Sequence, residues 1–177
     1  NEEGHAARFV GKLHTSQVNA FATPRCGPIG WLTEDRVTLM AQPPRLPPIL
    51  RSASPVVAKI ALVTLTLDDD GGLIRLAVRN GCTGIVVAAL GGGHCSPAAA
   101  DAIEDAAGQV DVVLSTRVPA GDVLTGTYGF VGSEIDLLRR GALRSGSLGA
   151  LKARALLTLL HRHGYTGQAI GAAFSRY

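Results

Sequence analysis

The fold of this chain is decided by residues 84–116, which read G-I-V-V-A-A-L-G-G-G-H-C-S-P-A-A-A-D-A-I-E-D-A-A-G-Q-V-D-V-V-L-S-T. Gly84–Leu90 is a continuous apolar run, which is typical of a strand that is covered on both faces. Ser96-Pro97 supplies an N-cap and a first-turn proline for a helix that runs to about Gly108. Val110–Thr116 is the next apolar run. A strand, a helix and a second strand in this order predict a parallel sheet with helices packed on it.

Elements of the same two kinds extend the pattern in both directions along the chain. Upstream, Val57–Thr64 is predicted to be a buried strand, and Gly72–Asn80 a helix because its apolar residues recur at helical spacing. Downstream, we predict a short helix near Glu134–Arg140, a short strand near Ala142–Arg144 and a longer helix over Gly149–His163. The predicted fold class is therefore α/β, with a small parallel sheet and flanking helices.

The first part of the chain has a different character. Residues 8–13 alternate polar and apolar side chains and residues 36–40 form another short β-like run, so residues 1–42 are predicted to be a β-hairpin segment. The proline-rich residues 43–55 are predicted to be a stiff linker, which leaves residues 56–177 as the α/β domain.

The composition excludes several classes of protein. Hydrophobic residues make up 46% of the 177, which argues against disorder, and a formal net charge of +3 without a long basic run argues against nucleic-acid binding. Three cysteines without C-x-x-C spacing and five histidines without a metal-binding pattern predict neither a disulfide framework nor a metal site. No apolar run is long enough to span a membrane, and no cofactor is predicted. Cys82 is expected to be buried, whereas exposure of Cys95 is left open.

Gly91-Gly92-Gly93-His94 is the most suggestive local feature, since it joins the end of a predicted strand to the start of a helix. Ligands of open α/β sheets bind at the carboxyl ends of strands, and helix N-termini favour anions. The loop is neither G-x-G-x-x-G nor a P-loop, so a tight turn and an anion site both remain open. Asp68–Asp70 is interpreted as a solvated helix start, and a structural role is favoured for Arg117.

Five stretches follow one another in a characteristic order. They are Cys26–Gly30 (C-G-P-I-G), the strand and glycine loop at residues 84–94, Arg117–Gly121 (R-V-P-A-G), Tyr128–Val131 (Y-G-F-V) and Leu151–Arg154 (L-K-A-R). The ordered set resembles the C-terminal half of the bacterial type II asparaginase/glutaminase family. The resemblance implies that residues 1–42 are the tail end of the family's N-terminal domain and that residues 56–177 are its C-terminal domain.

The resemblance implies hydrolysis of the side-chain amide of L-asparagine to L-aspartate and ammonia by a homotetramer, and leaves open whether L-glutamine is also used. The family's threonine nucleophile lies in T-G-G-T-I, and a second threonine and an aspartate lie in H-G-T-D-T. Neither motif occurs in this sequence, so no catalytic residue is assigned and the chain alone is predicted to be inactive. A catalytic N-terminal half is expected to precede Asn1, and localisation is left open.

The resemblance also implies which residues contact the substrate. The family's glycine loop reads G-N-G-N, so His94 takes the place of an asparagine here. A family glutamate between R-V-P-x-G and Y-G-F has no counterpart, and Glu134 is interpreted as its substitute for binding the substrate amino group, with a polar surface role equally open. The candidate substrate-binding residues are therefore Gly92, Gly93, His94 and Glu134.

Two other functions remain open from the sequence. One is a non-catalytic, truncated asparaginase-like module for binding or assembly. The other is an unrelated phosphate- or nucleotide-binding α/β domain built around Gly91–His94.

Overall fold

The computed structural model describes residues 2–52 and 55–177. The chain divides into two compact units, Asn1–Pro47 and Pro48–Tyr177, and the division falls within the proline-rich stretch 43–55. Residues 53 and 54 of that stretch lie outside the described residues.

The first unit is built from short antiparallel strands. Its strands are β1 (Glu3–Gly4), β2 (Gly11–Lys12), β3 (Phe21–Ala22), β4 (Gly30–Thr33) and β5 (Arg36–Leu39). Strand β4 pairs with both β1 and β5, while β2 pairs with β3. The hairpin character predicted for this segment is confirmed, and β5 matches the run predicted at residues 36–40.

The strand predicted over residues 8–13 is wrong for its first half, because only Gly11–Lys12 is extended. The backbone N–H groups of Phe9 and Val10 both donate to the carbonyl oxygen of Ala6, over 2.9 and 3.0 Å, and so close a turn. Since each N–H group is already bonded inside that turn, neither is free to join a ladder.

The second unit is the predicted α/β domain. Its strands are β6 (Ile60–Thr64), β7 (Gly84–Ala89), β8 (Asp111–Thr116) and β9 (Leu143–Arg144), which form one parallel sheet in that order. Its helices are α1 (Gly72–Arg79), α2 (Pro97–Ala107), α3 (Glu134–Arg139), α4 (Ala150–Arg162) and α5 (Gln168–Phe174). Within residues 2–52 and 55–177, no helix is both long and apolar enough to cross a membrane.

Both faces of the sheet are covered, which explains why β7 is apolar at every position. Ile85 and Val87 belong to a buried cluster that includes Ile103 of α2. Val86 belongs to a cluster on the opposite side that includes Leu157 of α4. Each fully buried aliphatic side chain contributes about 1.5–3 kcal/mol relative to an exposed one, so burial on both faces stabilises the sheet.

The strand predicted from Val57 begins only at Ile60. The preceding backbone is bonded to other elements instead of to a neighbouring strand: Val56 N–H donates to the carbonyl oxygen of Arg162 over 3.1 Å, and Lys59 N–H donates to Thr83 Oγ1 over 3.2 Å. The end of α4 therefore anchors the chain just before it enters the sheet.

The carboxyl ends of β7 and β8 lie side by side, since Ala89 is paired with Thr116. The glycine loop leaves this edge after β7, and the long loop of residues 117–133 leaves it after β8. The topology therefore brings two sequence-distant loops together at the edge where open α/β sheets bind ligands.

Candidate functional site

The glycine loop is a tight turn closed by its own backbone. Gly93 N–H and His94 N–H both donate to the carbonyl oxygen of Leu90, over 2.9 and 2.8 Å, and Leu90 N–H donates back to His94 over 2.9 Å. Gly93 has a φ of +112°, and a β-carbon there would lie 2.8 Å from Cγ1 of Val123. Glycine is therefore required at this position both by backbone conformation and by the close approach of the neighbouring loop.

The loop of residues 117–133 is hydrogen-bonded to the glycine loop. Thr116 Oγ1 donates to the carbonyl oxygen of Gly91 over 2.6 Å, and Leu124 N–H donates to that of Gly92 over 2.9 Å. A β-carbon at Gly92 would lie 2.7 Å from Cδ1 of Leu124, so the two loops are in direct contact. The two loops therefore pack against each other at the carboxyl edge of the sheet.

Gly132 and Ser133 hold the start of α3 next to the glycine loop. Cys95 N–H donates to the carbonyl oxygen of Gly132 over 2.8 Å, which fixes the chain next to the glycine loop. Ser133 is the N-cap of α3, and its Oγ accepts from Asp136 N–H at 3.5 Å. Glu134, the first residue of this helix, consequently lies beside His94.

Glu134 is fully buried, so the surface role that the sequence left open for it is wrong. Its Oε1 accepts hydrogen bonds from the backbone N–H groups of Thr127 and Tyr128, over 2.9 and 2.7 Å. Its Oε2 lies 3.1 Å from Nε2 of His94. Burial acts to raise the pKa of the Glu134 carboxyl, but the donors from Tyr128, Thr127, its own N–H and His94 outweigh burial and hold the pKa below its ordinary value.

His94 connects this buried carboxylate to the surface. Its side chain is 24% exposed, whereas that of Glu134 is 0% exposed. The rings of Tyr128 and Phe130 meet it edge-on, with centroids 5.0 and 5.2 Å from the imidazole. These two aromatic residues were not predicted as site residues, although the Y-G-F sequence that contains them contributed to the family resemblance.

The structure thus brings together the residues predicted to bind substrate. His94 and Glu134 are in direct contact, a β-carbon at Gly93 would lie 3.5 Å from Cβ of Glu134, and one at Gly92 would lie 3.7 Å from Nε2 of His94. The carboxylate of Glu134 is bonded to the backbone of Thr127 and Tyr128 and to His94, whose side chain is partly exposed.

The other candidate residues have structural roles. Asp69 and Asp70 each accept from a backbone N–H two residues later, at the start of α1, as predicted. Arg117 Nη1 donates to the carbonyl oxygen of Leu65 over 3.3 Å, in agreement with the structural role favoured for it. Among the described residues, no group of three or more histidine, cysteine or carboxylate side chains is arranged to hold a metal ion.

The thiol of Cys95 is also excluded as a reactive group. Its exposure was left open by the sequence, and the side chain is buried. Burial, with a further contribution from Asp136, raises the pKa of the thiol to about 12. A thiol with this pKa stays protonated near neutral pH and is a poor nucleophile.

One hydroxyl–imidazole contact lies in the first unit. Thr23 Oγ1 is 2.8 Å from Nδ1 of His5. Thr23 is only 4% exposed, so its hydroxyl is closed to a substrate, and the contact ties residues after β1 to those after β3.

Comparison with known proteins identifies the family. Residues 59–174 match the family described as the glutaminase/asparaginase C-terminal domain. The chain belongs to this family. The match begins just before β6 and ends at the last residue of α5, so it includes the whole parallel sheet and every helix of the second unit within the described residues.

Curated proteins whose names include L-asparaginase are similar to this chain outside the matched domain as well. The chain is 33% identical over 161 residues to the L-asparaginase of Bacillus licheniformis, covering 90% of this chain and 49% of that protein. It is 34% identical over 175 residues to a probable L-asparaginase of Deinococcus radiodurans, covering 96% and 52%. L-asparaginase 2 of Escherichia coli is 28% identical over 175 residues, covering 96% and 49%. The chain therefore spans about half the length of the curated relatives that it matches, and the resemblance to this family is confirmed.

Proposed function

We propose that this chain is the C-terminal portion of an L-asparaginase, which hydrolyses L-asparagine to L-aspartate and ammonia when an N-terminal catalytic half completes it. The observation that carries the proposal is the match itself: the glutaminase/asparaginase C-terminal domain covers residues 59–174. The relatives named L-asparaginase are covered along 49% and 52% of their length, which supports a missing half of similar size.

The first unit supports the assignment of residues 1–42 to the tail of an N-terminal domain, with residues 43–55 as linker and 56–177 as the C-terminal domain. Among the described residues of this unit, the buried apolar side chains are those of Ala6 and Ala20. Large apolar side chains are exposed instead, including Phe21, Trp31 and Val37. Two alanines provide little of the apolar burial that a sheet needs, which supports the proposal that a further domain covers these strands.

Within the complete enzyme, Gly92, Gly93 and His94 form the substrate-binding surface contributed by this chain, and the buried Glu134 supports this surface by holding His94. Three features support this role: the carboxyl edge of the sheet, the two glycines that allow a close approach, and a partly exposed imidazole next to a buried negative charge. The catalytic threonine belongs to the N-terminal half, and no residue of this chain is assigned as nucleophile. No cofactor is needed, because a threonine nucleophile with an activating base is sufficient for amide hydrolysis.

The proposed ligands are L-asparagine and its product L-aspartate, and the proposed partners are further copies of the chain in a homotetramer. Light scattering of the native polypeptide tests the tetramer directly: a monomeric mass in the active preparation would contradict it.

The function is tested by purifying the native polypeptide from its source cells and measuring its intact mass and its release of ammonia from L-asparagine. We expect a mass about twice the 18.3 kDa of this chain, L-asparaginase activity in that polypeptide, and no ammonia release by residues 1–177 alone. A native polypeptide of 18.3 kDa without activity would overturn the proposal and favour a non-catalytic binding or assembly module.

A further inference from the structure

The contact between Glu134 and His94 determines which nitrogen of the imidazole carries hydrogen. An ionised carboxylate only accepts hydrogen bonds, and the pKa of Glu134 is held below its ordinary value. Because Oε2 of Glu134 lies 3.1 Å from Nε2 of His94, that nitrogen must be the donor. When the imidazole is neutral, Nδ1 then carries a lone pair and no hydrogen.

The same carboxylate also fixes the orientation of the ring. Oε1 binds the backbone of Thr127 and Tyr128, and the rings of Tyr128 and Phe130 lie edge-on against the imidazole. Rotation of the imidazole would leave Oε2 without its donor in a fully buried position, which is unfavourable. The Glu134 carboxylate therefore holds both the His94 ring and the loop that contains Thr127 and Tyr128.

Nδ1 of His94 is the ring nitrogen that remains available to a ligand, because Nε2 is bonded to Glu134. In the part of the chain that the structure describes, the hydrogen bond of the His94 side chain is the one to Glu134 through Nε2. The side chain is 24% exposed, so it is not sealed from solvent. An acceptor nitrogen on a fixed ring repels a carboxylate and attracts an N–H donor.

We propose that Glu134 is a positioning residue that holds His94 as the Nε2–H tautomer, so that Nδ1 accepts a hydrogen bond from an N–H group of the ligand. While the imidazole is neutral, the donor is either a protonated amine or a carboxamide N–H, and a ligand carboxylate is excluded from this contact. In this arrangement His94 accepts a hydrogen bond from the substrate and does not donate one to it. The inference rests on the proposed function for the identity of the ligand but not for the tautomer.

The tautomer is tested by NMR on residues 1–177 labelled with ¹⁵N at histidine, at a pH where His94 is neutral in the same spectra. In E134Q the amide oxygen is expected to keep the backbone donors of Thr127 and Tyr128, which places the amide N–H₂ next to Nε2. The proton should then move to Nδ1. The control is E104Q, because Glu104 is an exposed carboxylate of α2 with a 58% exposed side chain.

The expected result is an Nε2–H tautomer in the wild type and in E104Q, and an Nδ1–H tautomer in E134Q. An Nδ1–H tautomer in the wild type, or the same tautomer in the wild type and E134Q, would overturn the inference. If E134Q does not fold, hydrogen exchange of the wild-type ring decides. The Nε2–H of His94 should exchange with water far more slowly than that of the exposed His14, and equal rates would contradict a bond to the buried carboxylate.

The class of donor is tested by ligand binding to the native polypeptide. L-aspartate offers an ammonium group, succinamate offers a carboxamide without the ammonium, and succinate offers neither. E134Q should weaken the binding of either L-aspartate or succinamate by about 10-fold or more, as expected for one lost hydrogen bond to a fixed acceptor. The affinity for succinate should stay within about 2-fold of the wild-type value. Equal losses for all three ligands would overturn the inference. A wild-type Nε2–H tautomer that moves to Nδ1–H in E134Q, in a polypeptide that does not hydrolyse L-asparagine, would overturn the proposed function alone.

Discussion

Cys95 and Gly132 are joined backbone to backbone, with the N–H of Cys95 donating to the carbonyl oxygen of Gly132 over 2.8 Å. This contact sets the distance between the glycine loop and the start of α3, and so brings Glu134 to His94. Gly132 has a φ of +85°, and a β-carbon there would lie 2.3 Å from the carbonyl oxygen of Cys95. The candidate site thus depends on a residue that has no functional group of its own.

G132A should therefore destabilise the chain by more than the cost of a left-handed alanine alone. That cost is about 1–2 kcal/mol, and the clash with Cys95 adds to it. The matched control is G81A, because Gly81 has a φ of +71° with nothing within 4 Å of a β-carbon. Urea unfolding of residues 1–177 measures both variants, and equal losses of stability would contradict the packing described for Gly132.

The stabilising contribution of Glu134 should depend on pH. Its folded pKa lies below its ordinary value of 4.5, so the contribution is fully present above pH 4.5 and is lost as the pH falls through the folded pKa. We expect E134Q to cost about 1.5–3 kcal/mol at pH 7, as for hydrogen bonds to a charged group, and less at pH 3. Unfolding free energies at the two pH values provide the test, and a difference that does not change with pH would contradict an ionised Glu134.

The carboxylates around Arg140 should differ in importance because they differ in burial. Asp136 is 16% exposed and its Oδ2 accepts from both Arg140 Nε and Gly132 N–H, each over 2.9 Å. Asp101 is 64% exposed and, in the part of the chain that the structure describes, its side chain bonds to Arg140 Nη1. D101N should cost about 0.2–1 kcal/mol, as for a surface ion pair, whereas D136N should cost about 1.5–3 kcal/mol. Thermal unfolding of the two variants makes the comparison, and an equal or reversed order would be inconsistent with the structure.

The cysteines should react with a thiol reagent in the order of their exposure. Cys26 is exposed, whereas Cys95 is buried with a pKa of about 12. Only the thiolate reacts, so Cys95 should stay unlabelled in the native chain at pH 8 while Cys26 is modified quickly. Peptide mass spectrometry after timed labelling distinguishes them. Equal rates under native conditions, with both sites labelled in urea as a control, would show that Cys95 is accessible.

Local chemistry was enough to predict the elements of the second unit. Helix α2 begins where Ser96 and Pro97 place it, and Ser96 Oγ accepts from Ala99 N–H at 3.1 Å. The central strand was predictable because burial on both faces requires an uninterrupted apolar run. The failure at Phe9 and Val10 has the converse reason, since alternation over six residues was overridden by bonds to Ala6 that the pattern does not reveal.

The site was only partly predictable. His94 and Glu134 were identified separately from the family pattern, but their contact spans 40 residues and depends on the close approach at Gly132. Charged residues are almost never fully buried unless they are paired, so Glu134 was compatible with the surface. Most of its partners are backbone N–H groups, those of Thr127 and Tyr128. Every residue except proline has such a group, so the residue types give no sign of these contacts.

The most direct test of the central claim is the kcat/KM of the native polypeptide for L-asparagine, measured by ammonia release in the wild type and in H94A. Loss of a hydrogen bond to a charged group costs about 1.5–3 kcal/mol, so H94A should lower kcat/KM by about 10- to 100-fold. H163A is the matched control, because Nδ1 of His163 accepts from Ser52 N–H at 3.1 Å near the opposite edge of the sheet. A wild type that releases no ammonia, or an H94A variant as active as H163A, would contradict the account.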